Sequence, residues 1–65
     1  MNKAKLTQYQ IDHIMAFIDR TYDEIGDAVL DKWKVPYFEE LNHSDYGDII
    51  EFMQDQLFQI NSASD

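Results

Sequence analysis

The groups in this chain with the widest chemical repertoire are two histidines, His13 and His43, three serines, Ser44, Ser62 and Ser64, and thirteen carboxylates. Nucleophilic catalysis needs an activated side chain beside a base. Ser44 falls where a helix would be capped, and Ser62 and Ser64 fall in a small, polar C-terminal stretch. Asp12 and His13 are sequence neighbours, so on a helix they point about 100° apart and cannot chelate together. His43 with Asp45 and Asp48 offers a loose set for a divalent ion, but it lacks the ligand order and turn glycine of an EF-hand loop. Cysteine is absent, which removes a disulfide scaffold, a thiolate metal site and a thiol nucleophile together. These residues predict a protein with no catalytic residue, no cofactor and no metal.

The carboxylates carry a more informative pattern. Asp19, Asp23, Asp27 and Asp31 recur every four residues, which on one helix is a row rising about 6 Å per step. Like charges at that spacing repel by a few tenths of a kcal/mol per pair. From Val35 onward there are seven acids and no Lys or Arg, and the net charge of the chain is −8. That sign excludes binding to nucleic acid through phosphate neutralisation. Two readings of the acids stay open. One is a solvated face that keeps a small protein soluble. The other is a docking surface: a carboxylate row with phosphate-like spacing could occupy the basic groove of a nucleic-acid-binding protein and displace its ligand, opposite charge speeding the encounter. On the second reading the partner-binding residues are Asp19, Asp23, Asp27 and Asp31, with Glu39, Glu40, Asp48, Glu51 and Asp55 as a second acidic surface.

The elements that must position these groups are helical. A length of 65 residues allows one small core and one domain, residues 1–65. Thr7-x-x-Gln10 matches a capping box, with Leu6 and Ile11 as the accompanying staple. Apolar residues then fall at Ile11, Ile14 with Met15, Ile18, Tyr22, Ile25, Val29 and Trp33, which predicts one continuous helix from Gln8 to Lys34, closed by Pro36. Gly26 within it marks either a bend or a close helix crossing. A short second helix is expected over Pro36 to Leu41, turning Tyr37, Phe38 and Leu41 inward and leaving Glu39 and Glu40 in water. Asn42-His43-Ser44 reads as a turn, with His43 solvated and His13 on a polar face. Ser44 or Asp45 then caps a third helix bearing Tyr46, Ile49, Ile50, Met53, Leu57 and Ile60. No stretch alternates with period two. The predicted fold is therefore an all-α three-helix domain with a long first helix, a short middle helix and a C-terminal helix, fraying at 1–6 and 61–65.

Phe17, Phe52 and Phe58 lie beside the main stripes. Either they fill corners of a core that wraps all three helices, or they contact a partner or a second copy. No apolar run approaches a membrane span, and Lys3 and Lys5 lead into polar residues, unlike a secretory signal. The expectation is a soluble cytoplasmic protein with no membrane partner.

The blocks Lys5-Leu6-x-Gln8, Ile11-Asp12, Gly26-x-Ala28 and Asp31-Lys32-Trp33-Lys34-Val35-Pro36, followed by Glu40, resemble the theta subunit of bacterial DNA polymerase III. The resemblance spans Lys5 to about Leu41 and implies a small three-helix accessory that binds the proofreading exonuclease subunit, with packing around Trp33 and Pro36 presenting the contact patch. In size, acidity and lack of catalytic groups the chain also looks like phage-encoded anti-CRISPR and anti-restriction inhibitors, a likeness of physical type that transfers no residues. The leading expectation is a non-catalytic inhibitor of a host nucleic-acid-handling or defence complex, encoded by a phage or mobile element and acting in the host cytoplasm. A theta-like accessory and a structural dimerisation module are the alternatives.

Overall fold

A computed structural model describes residues 4–63. It contains α1 (Gln8–Arg20), α2 (Asp23–Trp33) and α3 (Tyr46–Ala63), with single 3₁₀ turns at Phe38–Glu40 and His43–Asp45 between α2 and α3. Among the described residues the fold is all-α, the class its periodicity predicts, with three α-helices that divide the chain differently from those expected. The start of α1 is the expected capping box: the Gln10 N–H donates to the Thr7 hydroxyl at 3.2 Å, and the Thr7 N–H donates to Gln10 Oε1 at 3.0 Å.

The division of the first thirty-four residues differs from the single helix expected over Gln8 to Lys34. The helix stops after Arg20 and restarts at Asp23. At the break, Thr21 takes φ −121° and ψ −107°, and Tyr22 is extended. The Thr21 hydroxyl donates to the Phe17 carbonyl at 2.7 Å, and its backbone N–H donates to the Ile18 carbonyl at 3.1 Å. A β-branched hydroxyl residue that bonds back into its own turn weakens the helix there. Asp23 and Glu24, unremarkable inside a helix, are favoured in the first turn of a new one by its dipole. Two helices joined by a two-residue link leave the apolar spacing almost unchanged, so periodicity alone does not reveal the break.

Gly26 shows what the break permits. A Cβ placed on Gly26 would lie 3.0 Å from Ile18 Cδ1 and 3.4 Å from Phe38 Cζ. Of the two roles open to it, Gly26 serves the close crossing, whereas the chain bends at Thr21 and Tyr22.

The end of α2 is set by Lys34, which adopts the left-handed conformation at φ 56°. Its N–H donates to the Asp31 carbonyl, and the Val35 N–H donates to the Leu30 carbonyl at 3.1 Å, so the Leu30 and Asp31 carbonyls in the last turn of α2 are satisfied. Beyond it, the expected helix over Pro36 to Leu41 is reduced to one 3₁₀ turn. Leu41 is buried and Phe38 half-buried, but Tyr37 is 64% exposed rather than turned inward. Its extended backbone, φ −142° and ψ 153°, places it ahead of the turn.

Residues 4–6 lie against the segment that leads into α3. The Leu6 N–H donates to the Leu41 carbonyl at 3.0 Å, and the His43 N–H donates to the Ala4 carbonyl at 2.8 Å. This antiparallel bridge between Lys5 and Asn42 carries Leu6 into the core. Of the stretches expected to fray, 4–6 carry this bridge and 61–63 are helical; residues 1–3 and 64–65 lie outside the described part. The core comprises Leu6, Ile11, Ile14, Ile18, Ile25, Val29, Leu41, Ile49 and Met53, and among the described residues it buries no polar side chain.

A left-handed residue with a Cβ costs about 1 kcal/mol relative to glycine. Lys34→Gly is therefore expected to stabilise the fold by about 0.5–1 kcal/mol in urea denaturation, after allowing for the freer unfolded chain. A helix continuing through Lys34 would instead lose about 1 kcal/mol from the same change.

Candidate protein-binding surface

The fold sorts the carboxylates by helix. Asp23, Asp27 and Asp31 are exposed along α2, where successive steps rise about 6 Å. Asp19 is also exposed but belongs to α1, before the break. The row of four expected on one rigid rod is therefore three on α2 plus one on a separate helix, because Thr21 and Tyr22 interrupt the spacing. Glu39 and Glu40 are exposed on the 3₁₀ turn. Asp48, Glu51 and Asp55 are exposed on α3 at positions i, i+3 and i+7, which share one helix face.

Two grooves lie between the elements. The first, about 590 Å³, is lined by Lys32 and Trp33 of α2 and by Asp48, Glu51, Phe52 and Asp55 of α3. Trp33 and Phe52 meet edge to face, with ring centroids 5.6 Å apart and an interplanar angle of 82°. The Lys32 ammonium lies 5.5 Å from the Trp33 centroid and 5.4 Å from that of Phe52, within cation–π range of both. The second groove, about 520 Å³, is walled by Ile11, Met15, Leu30, Pro36, Tyr37 and Phe38, with Gln8, Asp12 and Glu39 also lining it. Met15 is 50% exposed there.

The three phenylalanines expected as partner or dimer contacts separate. Phe17 and Phe52 are half-buried and pack against the core. Phe58 is 69% exposed on α3. Met15, Tyr22 and Tyr37, all read as inward-facing, are exposed. Met15 lies four residues from Ile11 and three from Ile18, so helical spacing alone places it on the stripe. The exposure of Tyr37 follows from the shortened middle element.

Both histidines are exposed, and both are bonded. The His13 ring Nδ1 is hydrogen-bonded to the Tyr46 hydroxyl, which fastens α1 to the first residue of α3. The His43 Nδ1 lies 3.0 Å from Gln10 Oε1, an atom that only accepts, so Nδ1 carries the proton in this contact. Burial and the neighbouring Tyr9 push the Tyr46 hydroxyl above the ordinary tyrosine pKa, so it remains a neutral donor or acceptor throughout the physiological range. These contacts are latches between α1 and the segment that opens α3. Among the described residues no three His, Asp or Glu side chains gather in a way that could hold a metal ion, and no helix is long and apolar enough to cross a membrane.

The arrangement offers exposed charge and two concave, partly aromatic surfaces. Exposed carboxylates can attract opposite charge at long range, and the grooves offer apolar area that another surface could bury. No known protein family, curated protein or solved structure matches the chain.

Proposed function

We propose that this chain is a non-catalytic protein-binding module whose partner presents a basic surface. The leading target is a host nucleic-acid-handling or defence complex, which the chain would inhibit by covering the surface meant for nucleic acid. The observation that carries this reading is the exposure of Asp23, Asp27 and Asp31 on α2 together with Asp48, Glu51 and Asp55 on α3. Carboxylates held this way raise the association rate with a basic protein and make it sensitive to salt. With the row divided at Thr21 and Tyr22, the acidic surface is a patchwork on two helices and a turn rather than one phosphate-like rod. Expression of the chain in bacteria carrying an active restriction or CRISPR system is expected to restore plaque formation by a targeted phage, and Asp23→Lys with Asp27→Lys to abolish the effect. Full activity in that double variant would remove the acidic surface from the mechanism.

A second reading follows from the resemblance to the theta subunit. The segment that resembles the theta subunit closes on itself: the Lys5 ammonium donates to the Glu40 carbonyl at 3.1 Å, and Leu6 pairs with Leu41. Within that unit Pro36, Tyr37 and Met15 border the second groove, an apolar patch suited to a partner's exposed side chains. On this reading the chain is an accessory that steadies a proofreading exonuclease. Purified exonuclease subunit should co-elute with the chain at low salt and lose it on Met15→Asp with Tyr37→Asp; no complex at low salt would end this alternative.

A further inference from the structure

The first groove has a composition that selects a particular side chain. Its floor is the Trp33 and Phe52 ring pair, and the chain's own Lys32 ammonium rests 5.5 and 5.4 Å from the two centroids. Both rings therefore already accept a cation. Beside them stand Asp48, Glu51 and Asp55, three exposed carboxylates against that single ammonium. The groove keeps unbalanced negative charge after its internal cation is counted. A planar guanidinium satisfies both features at once, because it stacks on an aromatic face while its fork of donors reaches carboxylates. A divalent ion suits it less, since Asp48 and Asp55 are two helical turns apart, about 10 Å of rise, and the three acids do not converge on a point.

We propose that the groove between the end of α2 and α3 is a docking seat for an arginine side chain carried on a basic segment of the partner protein. The inference rests on the reading above that the partner surface is basic, and adds which residue it uses and where. Lys32 is the built-in competitor for the seat. Its ammonium is exposed and sits on a flexible four-carbon stem, so it can leave the rings at small cost when a guanidinium arrives.

Trp33 is the sole tryptophan of the chain, so its fluorescence reports on this groove alone. The full-length protein is titrated with the peptide acetyl-Gly-Arg-Gly-Gly-Arg-Gly-amide and with its lysine counterpart at low ionic strength, binding being followed by calorimetry and by Trp33 emission. The arginine peptide is expected to shift the emission and to bind about two- to fivefold tighter than the lysine peptide, the scale of an exposed cation–π preference. Lys32→Met should tighten arginine binding, and Phe52→Leu should erase the preference for arginine. Asp48→Asn with Asp55→Asn should weaken both peptides. Equal affinity for the two peptides, or calorimetric binding that leaves Trp33 emission unchanged, would overturn the arginine seat while leaving a basic partner in place. Absence of binding by either peptide at low salt would overturn both.

Discussion

Ile18 rests on Gly26. That close approach of α1 to α2 decides most of what the molecule can present to its surroundings. If residue 26 carried a Cβ, the Ile18 terminal methyl would stand 3.0 Å from it, and the neighbouring helix would have to give way. Because glycine is there, the eight residues from Ile18 to Ile25 can reverse the chain, and Phe38 can close over the same point. The reversal turns what reads as a rod into a folded pair, and the pair supplies two walls of a core that α3 completes through Ile49 and Met53.

A core of nine buried apolar residues in so short a chain leaves little margin. The structure compensates with contacts between segments distant in sequence. Leu6 is drawn in by pairing with Leu41, Gln10 ties the start of α1 to His43, and His13 ties its middle to Tyr46. With no polar side chain buried among the described residues, almost no desolvation of charge has to be offset inside. The carboxylates are left on the outside; all of those described except the half-buried Asp45 are exposed. Negative potential is thus a property of the surface, and the grooves are where that potential meets aromatic and apolar side chains.

The helical class, the capping box at Thr7 and Gln10, and most of the core were legible in the residue pattern, because amphipathic spacing and end-capping are local signals. Ile11, Ile14, Ile18, Ile25, Val29, Leu41, Ile49 and Met53 all fall at positions the periodicity marks as inward. The break at Thr21 was not legible, since a two-residue link preserves the spacing of the apolar stripe and Thr21 acts through a side-chain bond to Phe17 that composition does not display. Burial of Leu6 was half legible: the staple with Ile11 marks it as a packing residue, but its pairing with Leu41, thirty-five positions away, has no local signal. For the candidate surface, the identities of the acids could be read directly, but their grouping could not. Asp19 parts from Asp23 because of the break, and Asp48, Glu51 and Asp55 join Trp33 only through the packing of α2 on α3.

The close crossing of Ile18 on Gly26 and the second groove both require α1 and α2 to be separate helices, because a single rod over Gln8 to Lys34 would bring neither into being. The direct measurement is amide hydrogen exchange by NMR across residues 17–28. Asp23 and Glu24 open a new helix, where the first N–H groups lack carbonyl partners within it. Their amides should exchange rapidly between two protected segments. Continuous protection from Phe17 through Ala28, with Asp23 and Glu24 as slow as Ile18 and Val29, would contradict the folded-back pair and the second groove built on it.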